Sequence, residues 1–246
     1  MKRKREVTLL SILLLLTVGL IAFTKVQNQL DDQILAYTVD PKKQDIQFYW
    51  KNEKGEILKS IQNLKTYVEG KNRILTFATN GGMFNKEFSP IGLFIQNKME
   101  LTHLDTANGN GNFYLKPNGV FYFTADNTPG ICETNDFPGN GKIKYATQSG
   151  PMLVIDGKIH SSFKEGSTNL NIRNGVGILP DNTLVFAMSK KEINFYDFAE
   201  FFKTLGCKNA LYLDGFVSRA YLPEQNWIQR DGNFGVIIGV TTKRNN

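Results

Sequence analysis

Residues 196–215, YDFAEFFKTLGCKNALYLDG, carry the pattern that decides the fold class. An apolar stripe at helical spacing runs through the first half of this segment: Phe198, Phe201, Phe202 and Leu205. Asn194 stands where a helix needs an N-cap, and Gly206 stands where a left-handed residue ends a helix. The residues NALYLDG then predict a strand that ends at an Asp-Gly pair. The segment therefore predicts one helix that leads directly into one strand.

The regions on either side of this segment predict mostly strands and turns. RILTFAT (73–79) and FGVIIGV (234–240) are apolar runs typical of buried strands, and residues 46–60 are typical of a hairpin. A short helix ending at Gly70 is indicated by apolar residues at helical spacing: Ile57, Ile61, Leu64 and Val68. Turn signals predict further hairpins at Pro117-Asn118-Gly119, Asp156-Gly157 and Pro180-Asp181-Asn182.

A helix between strands in a chain built mainly of hairpins predicts an α+β, or mixed α/β, fold. We expect a single domain with a largely antiparallel or mixed sheet and a few helices, because no linker or repeat divides the chain. Roughly 220 residues follow the N-terminal apolar segment, which is enough for one large domain.

The N-terminus has the composition of a membrane-targeting segment. A basic cluster, MKRKRE, precedes residues 7–23, VTLLSILLLLTVGLIAF, which carry no charge. Few small residues stand at the positions that a signal-peptide cleavage site requires. This favours a signal anchor at residues 1–24 over a cleaved signal peptide. Residues 25–44 predict a polar stalk, and residues 45–246 the folded domain. Because positive charge keeps the N-terminus inside, we expect an extracytoplasmic domain that is membrane-anchored by a single pass, or secreted or periplasmic if cleaved.

The net charge of the exported part is small. The formal charge is +6, and residues 1–6 supply four basic side chains and one acidic side chain, so that +3 remains for the rest. No Lys/Arg-rich face of the kind that binds nucleic acid is left. The charge balance argues against a nucleic-acid partner and suits a small anionic ligand. The expected membrane contact is through the apolar residues 7–23.

Histidine and cysteine are too scarce for the usual zinc sites. The chain has His103, His160, Cys132 and Cys207, so we expect no metal and no cofactor. Residues 105–112, DTANGNGN, alternate Asp and Asn with Gly as a calcium loop does, but the required Glu is replaced by Lys116. An exposed turn-rich loop is the simpler interpretation. The sequence leaves open whether the two cysteines form a disulfide.

Four segments place polar residues beside glycines at the ends of apolar strands. They are TNGGMFN (79–85), QSGP (148–151), IRNGVG (172–177) and LDGFVSR (213–219). Glycine lets a backbone approach a ligand and offer N–H groups to an anion, and binding residues concentrate in such loops. Each segment also has a simpler interpretation: the Gly pair as a bulge, Arg173 as a surface cation, and Asp214 as a side chain bonded to its own turn.

Taken in order, the four segments resemble the phosphodiester glycosidase family over about residues 73–241. The resemblance implies hydrolysis of a sugar-1-phosphodiester, in which the phosphate stays attached to its other partner. It further implies that Arg173 holds the phosphate and that Asp214 stands at the centre of the site, as the catalytic residues. Substrate contacts are implied for the other motif residues: Asn80, Gly81, Gly82, Asn85, Gln148, Ser149, Gly215, Ser218 and Arg219.

These residue types suit such chemistry. A guanidinium matches phosphate oxygens in a bidentate fork, and a carboxylate stabilises an oxocarbenium-like transition state. A phosphodiester leaves readily as an anion, so the general acid of ordinary glycosidases becomes dispensable and a cation at the phosphate becomes more useful. One Asp and one Arg would then suffice, with Asp214 as base or nucleophile.

The loop after Asp214 departs from the family pattern of further Gly and Ser residues. Phe216 and Val217 stand before Ser218, and Arg219 follows. We expect Phe216 to narrow a backbone anion site and Arg219 to replace the lost N–H donors with a charge. The chain thus resembles a divergent bacterial branch with an altered pocket. A non-catalytic glycan- or phosphoglycan-binding module is the main alternative function, and a metal-dependent phosphodiesterase is a third.

Overall fold

The computed structural model describes residues 33–244, which form antiparallel β-sheets with two α-helices. The predicted targeting segment at residues 7–23 lies outside the described residues. Within residues 33–244, no helix has the length and apolar character needed to cross a membrane.

The strands form three sheets, and within each sheet neighbouring strands are named side by side. The first contains β1 (Ile34–Val39), β12 (Leu184–Ser189), β11 (Asn174–Ile178), β13 (Ala210–Tyr212), β9 (Met152–Ile155) and β10 (Lys158–Ile159). The second contains β15 (Trp227–Ile228), β14 (Ala220–Leu222), β3 (Arg73–Asn80), β16 (Ile237–Lys243) and β2 (Asp45–Tyr49). The third contains β5 (Met99–Thr102), β4 (Phe94–Gln96), β8 (Ile143–Ser149), β6 (Gly119–Thr124) and β7 (Pro129–Glu133).

The predicted fold class is confirmed in its coarser form, as mostly antiparallel β with two helices. Every pairing between these strands is antiparallel, so the alternative of a mixed sheet is not what the described residues form. Short connections account for the five pairings of consecutive strands, because a tight turn can join only antiparallel neighbours. The other eight pairings join strands that are not consecutive.

Both helices end where the sequence predicts. The first begins later than its predicted apolar stripe, because Ile57 pairs with Lys51 in a β-bridge and lies outside the helix. α1 (Ile61–Glu69) starts after Ser60, whose hydroxyl accepts the Asn63 N–H at 3.1 Å, and it is followed by Gly70. α2 (Phe195–Thr204) starts after Asn194, whose Oδ1 accepts the Asp197 N–H at 2.8 Å. Gly206, at φ +81°, turns the chain away after α2.

One hydrophobic core joins the three sheets. Leu35 of β1, Phe77 of β3 and Phe121 of β6 are buried in the same cluster, although each belongs to a different sheet. α2 covers the first sheet with Phe198 and Phe202, which pack with strands β9 and β13. Because each sheet supplies one face to a shared core, the strand ends of different sheets come close together.

Two of the three predicted hairpin turns are present. Asp156 and Gly157, at φ +47° and +76°, join β9 to β10, and Asn182 at φ +66° lies between β11 and β12. The third prediction, at Pro117-Asn118-Gly119, is wrong. Asn118 is buried, its Nδ2 donates to the Phe113 carbonyl at 2.9 Å, and β6 pairs with the later strands β7 and β8.

The loop at residues 105–112 is held by its own hydrogen bonds. The Asp105 carboxylate accepts the Ala107 N–H at 2.8 Å and the Tyr114 hydroxyl at 3.0 Å. No group of three or more His, Cys, Asp or Glu side chains suited to a metal occurs in residues 33–244. Cys132 and Cys207 are free thiols, and burial raises the pKa of each to about 12, so both stay protonated at neutral pH.

The predicted stalk at residues 25–44 overlaps β1, which belongs to the folded domain. β1 pairs with β12 along its whole length, from Ile34 opposite Ser189 to Val39 opposite Leu184. Its buried apolar residues are Ile34, Leu35, Tyr37 and Val39. The folded domain therefore starts no later than Ile34, not at residue 45, because an edge strand of mixed composition becomes recognisable only through its partner.

Removal of residues 1–44 is expected to prevent folding. The deletion removes four buried apolar side chains, each worth about 1.5–3 kcal/mol, against a typical domain stability of about 5–15 kcal/mol. Circular dichroism during heating should show no cooperative transition. A chain starting at residue 33 keeps β1 and serves as the control, and equal transitions in the two chains would place the boundary where the sequence predicted it.

Candidate functional site

Three of the four predicted polar segments meet where strands of the first and second sheets end. In the first sheet, β11 and β13 are antiparallel neighbours, with Gly175 opposite Tyr212. This register brings Asn174, at the start of β11, beside Asp214, just after β13. Asn80, the last residue of β3 in the second sheet, joins them through hydrogen bonds.

The buried carboxamide of Asn174 ties these strand ends together. Its Nδ2 donates to the Thr79 hydroxyl at 3.1 Å, to the Asn80 carbonyl at 2.9 Å and to Asn80 Oδ1 at 3.1 Å. Its Oδ1 accepts the backbone N–H of Asp214 at 3.1 Å. One side chain therefore links the first sheet to the second. Asn174 was not among the predicted site residues, although it stands beside Arg173 in the IRNGVG segment.

Asn80 holds the backbone on both sides of the turn after Asp214. Its Nδ2 donates to the Asp214 carbonyl at 2.6 Å, and its Oδ1 accepts the Arg219 N–H at 2.9 Å. The side chain is buried and both of its polar groups are used. Asn80 therefore positions the turn that contains Asp214, and its predicted contact with substrate stays a prediction.

The Asp214 side chain is a carboxylate without a partner. It is partly exposed, and within residues 33–244 it forms no ion pair and accepts no hydrogen bond from another side chain. Burial of the carboxyl group raises its pKa to about 6, and the nearby backbone N–H of Phe216 offsets part of that effect. An unpaired carboxylate with a raised pKa is suited to act as a base or a nucleophile.

The Arg173 guanidinium is buried without a carboxylate partner in the described part of the chain. Its side chain is 1% exposed, with Nε donating to the Ile193 carbonyl and Nη2 to the Asn169 carbonyl, both at 2.8 Å. The guanidinium lies over the Phe195 ring, with 3.6 Å between Cζ and the ring centroid. Burial lowers its pKa. Nη1 donates to no carbonyl or carboxylate within residues 33–244. This edge of the guanidinium, which faces the Tyr212 hydroxyl, is therefore the one that no backbone carbonyl holds.

Tyr212 lies within electrostatic reach of both charged groups. Its ring centroid is 5.7 Å from Arg173 Cζ. Burial raises the pKa of its hydroxyl to about 12, the positive charge of Arg173 opposes this rise, and the negative charge of Asp214 adds to it. Sequence reasoning missed Tyr212, although alternation along a strand places it on the same face as Asp214, two residues later.

The turn after Asp214 is shaped by close packing. A Cβ atom on Gly215 would lie 1.9 Å from the Tyr212 hydroxyl oxygen, so this position excludes any side chain. The Ser218 hydroxyl is buried and donates to the Gly215 carbonyl at 3.0 Å. Phe216 is 92% exposed. Its ring therefore stands in solvent and does not narrow an anion site, contrary to the prediction.

Arg219 is paired within the protein. Its Nε donates to the Asp231 carboxylate at 2.9 and 3.0 Å, and its Nη1 donates to the Ser218 carbonyl at 2.9 Å. The predicted role of Arg219, a charge that replaces lost N–H donors, is thus weakened because Asp231 neutralises it. The pair is partly exposed, which also limits its strength.

Gln148 and Ser149 serve the scaffold. Gln148 Oε1 accepts the N–H groups of Leu93 at 3.0 Å and Asp105 at 2.9 Å, while Nε2 donates to the Asp105 carbonyl at 2.6 Å and the Thr134 hydroxyl at 3.2 Å. The amide thus makes all four of its hydrogen bonds and has none left for a ligand. The buried Ser149 hydroxyl donates to the Leu213 carbonyl. The contacts shown for both side chains are therefore within the protein, and their predicted contacts with substrate stay predictions.

The glycine pair of the first segment is required for packing. A Cβ on Gly81 would lie 2.6 Å from Val236 Cγ1, and one on Gly82 would lie 2.6 Å from the Gln148 carbonyl oxygen. Asn85 is exposed and closes its own turn, accepting the Glu87 and Ser89 N–H groups at 3.0 Å. The predicted ligand contacts of these three residues stay predictions.

An open groove of about 500 Å³ lies at the opposite end of β3, beside Arg73. Three of its four charged residues are already paired, Lys71 with Glu53 and Arg73 with Asp45, and the fourth, Lys51, lies over the Trp50 ring with 3.9 Å between Nζ and the centroid. Volume alone would favour this groove as a ligand site. We favour the Asp214 site, because its carboxylate and its guanidinium both lack a counter-charge in the described residues, and such groups mark functional sites more reliably than volume.

Comparisons with known proteins agree on one family. The family model described as phosphodiester glycosidase matches residues 74–240. The chain is 36% identical over 190 residues to the uncharacterized protein YigE of Escherichia coli strain K12, which covers 77% of this chain and 74% of that protein. These two matches agree with the order of motifs in the sequence.

Solved structures share the fold. The catalytic domain of zebrafish N-acetylglucosamine-1-phosphodiester alpha-N-acetylglucosaminidase, auto-inhibited by its pro-peptide, is 15% identical with a TM-score of 0.59, over 85% of this chain and 82% of that one. A hypothetical protein from Synechocystis is 13% identical with a TM-score of 0.52, over 85% of this chain and 59% of that one. At such identities the likeness concerns the fold alone.

Replacement of Asn174 by Ala is expected to lower the free energy of unfolding by about 2–4 kcal/mol, because several buried polar groups lose their partner. Urea unfolding followed by tryptophan fluorescence measures the change. Asn140→Ala, at an exposed loop position, is the matched control and should change stability by less than about 0.5 kcal/mol. A similar small change for Asn174→Ala would show that its carboxamide does not join the sheets.

Proposed function

Because the chain belongs to the phosphodiester glycosidase family, we propose that it hydrolyses the glycosidic bond of a sugar-1-phosphodiester outside the cytoplasm. The observation that carries this proposal is the pair of charges without counter-charges, the Asp214 carboxylate and the Arg173 guanidinium, both within reach of Tyr212. The extracytoplasmic location is supported by the basic cluster and the apolar segment at residues 1–23.

The proposed role of Arg173 is to bind the phosphate. Its guanidinium is held in place by two carbonyl groups and the Phe195 ring, so it is preorganised before a ligand arrives. A phosphate that binds the edge not held by these carbonyls would supply the missing negative charge. Negative charge also accumulates on the phosphate as the glycosidic bond breaks, so this contact strengthens in the transition state.

The proposed role of Asp214 is to act at the sugar carbon. With a pKa of about 6, the carboxyl group is mostly ionised at neutral pH. An ionised carboxylate can attack the anomeric carbon or take a proton from the attacking water. The phosphate departs as an anion without a proton, so no second carboxylic acid is needed. Asn80 and Asn174 hold the Asp214 backbone, which limits the positions of its side chain.

The direct test uses the full-length chain in detergent with the methyl phosphodiester of N-acetylglucosamine 1-phosphate. Sugar release is followed by chromatography, with and without a chelator. Release that is unaffected by chelator supports the proposal. Binding without release would favour a non-catalytic glycan-binding module instead, and loss of release with chelator would favour a metal-dependent phosphodiesterase.

Activity is expected to fall below about pH 6 as Asp214 becomes protonated, because its pKa is raised to about 6. Asp214→Asn should abolish release, at a loss of at least about a thousandfold, because an amide is neither a base nor a nucleophile. The measurements are kcat/KM against pH for the parent chain and single-turnover release for the variant. Near-normal release by Asp214→Asn would remove Asp214 from the mechanism.

The same titration affects stability. The pKa of Asp214 is raised from 3.8 to about 6 in the folded state, so between these values the folded chain retains a proton that the unfolded chain releases. Stability therefore falls as pH rises through this range, by at most about 3 kcal/mol. Asp214→Asn should lose this contribution and be at least as stable as the parent at pH 7. Thermal unfolding at several pH values tests this, and an unchanged pH dependence would contradict it.

Arg173→Lys is expected to lower kcat/KM for the phosphodiester by at least about tenfold, because an ammonium group cannot keep the carbonyl contacts, stack on Phe195 and reach the phosphate together. Steady-state kinetics measures the loss. Arg230→Lys changes an exposed arginine and is the matched control, with activity expected to stay the same. Equal activities of the two variants would argue against a phosphate site at Arg173.

A further inference from the structure

Tyr212 is a buried tyrosine close enough to both charged groups of the site to feel their charges. Its side chain is 1% exposed, and its ring packs edge-on against Phe195 with 4.8 Å between centroids. The hydroxyl lies against the backbone of Gly215, where even a Cβ atom would not fit. Packing on these sides leaves the ring little freedom, so the position of the hydroxyl is well defined.

The hydroxyl hydrogen of Tyr212 is not used by any acceptor in the described part of the chain. No carbonyl, carboxylate or hydroxyl oxygen within residues 33–244 accepts a hydrogen bond from it. The groups that face its oxygen are donors, namely the Arg173 guanidinium and the Gly215 N–H, and both lower the pKa of Tyr212. Two donors occupy the side of the lone pairs, so the O–H must point elsewhere. The hydroxyl therefore keeps one donor that a ligand oxygen can accept.

We infer that Tyr212 contacts the substrate: its hydroxyl donates a hydrogen bond to a non-bridging oxygen of the phosphate that Arg173 binds, and so favours phosphate over uncharged leaving groups. The inference rests on the proposed function for its substrate. Binding of phosphate itself needs no turnover, which allows the two to be tested separately.

The chemistry requires a donor that stays protonated while Asp214 is ionised. The pKa of Tyr212 is raised to about 12 and that of Asp214 to about 6, so both conditions hold across the neutral range. During reaction the bond between the anomeric carbon and the phosphate oxygen breaks, and its electron pair stays on that oxygen. Water adds to the carbon, directly or after a glycosyl–Asp214 intermediate, and loses a proton to Asp214 or solvent. Tyr212 keeps its proton throughout and stabilises the growing phosphate charge.

Tyr212→Phe removes the hydroxyl and keeps the ring. The affinity for inorganic phosphate, measured by calorimetry, should fall by about 10- to 100-fold, as for a hydrogen bond to a charged group. The same loss is expected in kcat/KM for the methyl phosphodiester. For the nitrophenyl glycoside of the same sugar, whose leaving group carries no phosphate, kcat/KM should change by less than about threefold.

Tyr145→Phe is the matched control, since Tyr145 is buried in the third sheet and its hydroxyl donates to Asn97 Oδ1 at 2.6 Å. It should lower stability and leave phosphate affinity unchanged. Unchanged phosphate affinity in Tyr212→Phe, or equal losses on both glycosides, would overturn the inference. If the parent chain binds phosphate but hydrolyses neither glycoside, the proposed function fails, and the phosphate titration alone still decides the role of Tyr212.

Discussion

The hydrogen bonds of the Asn174 carboxamide are the contact on which the site depends. Asn174 belongs to the first sheet, and its amide reaches both the end of β3 in the second sheet and the backbone of Asp214. The three sheets already share one hydrophobic core, but apolar packing has no directional preference and cannot set strand ends to within an ångström. A saturated buried amide does have direction, and it sets the position of Asp214 relative to Asn80.

The side chains that hold Asp214 in place use all their hydrogen-bonding groups within the protein. The two proposed catalytic side chains do not have all their charges and donors paired. Gln148, Asn80 and Asn174 all have their polar groups occupied within the protein. Asp214 and Arg173 lack counter-charges in the described residues. Burial raises the pKa of Asp214 and lowers the pKa of Arg173, so it favours the neutral form of each group. Such groups lower stability unless a ligand completes them. This contrast, more than cavity size, separates the site from the paired charges of the groove beside Arg73.

The predicted site residues therefore divide into two groups that look alike in sequence. A polar residue beside glycine at a strand end is typical both of ligand contact and of tight packing. Gly82 approaches the carbonyl of Gln148, and Ser149 bonds to Leu213, so these motif residues support the scaffold. Arg173 and Asp214 differ, because neither has a partner of opposite charge in the described residues. Distinguishing the two groups requires a count of hydrogen-bond partners, and those partners come from distant parts of the chain.

The sequence by itself determined α2, the strand that follows it, the Asp-Gly pair at the end of that strand, and the family. These features rest on side-chain periodicity and on motifs whose members are close in the chain. Tertiary structure alone decided that residues 34–39 pair with β12, that all hydrogen-bonding positions of the Gln148 amide are used, and that Tyr212 lies close enough to Arg173 and Asp214 to feel both charges. The physical reason is that edge pairing, hydrogen-bond saturation and desolvation depend on atoms from segments far apart in sequence, which only the folded chain brings together.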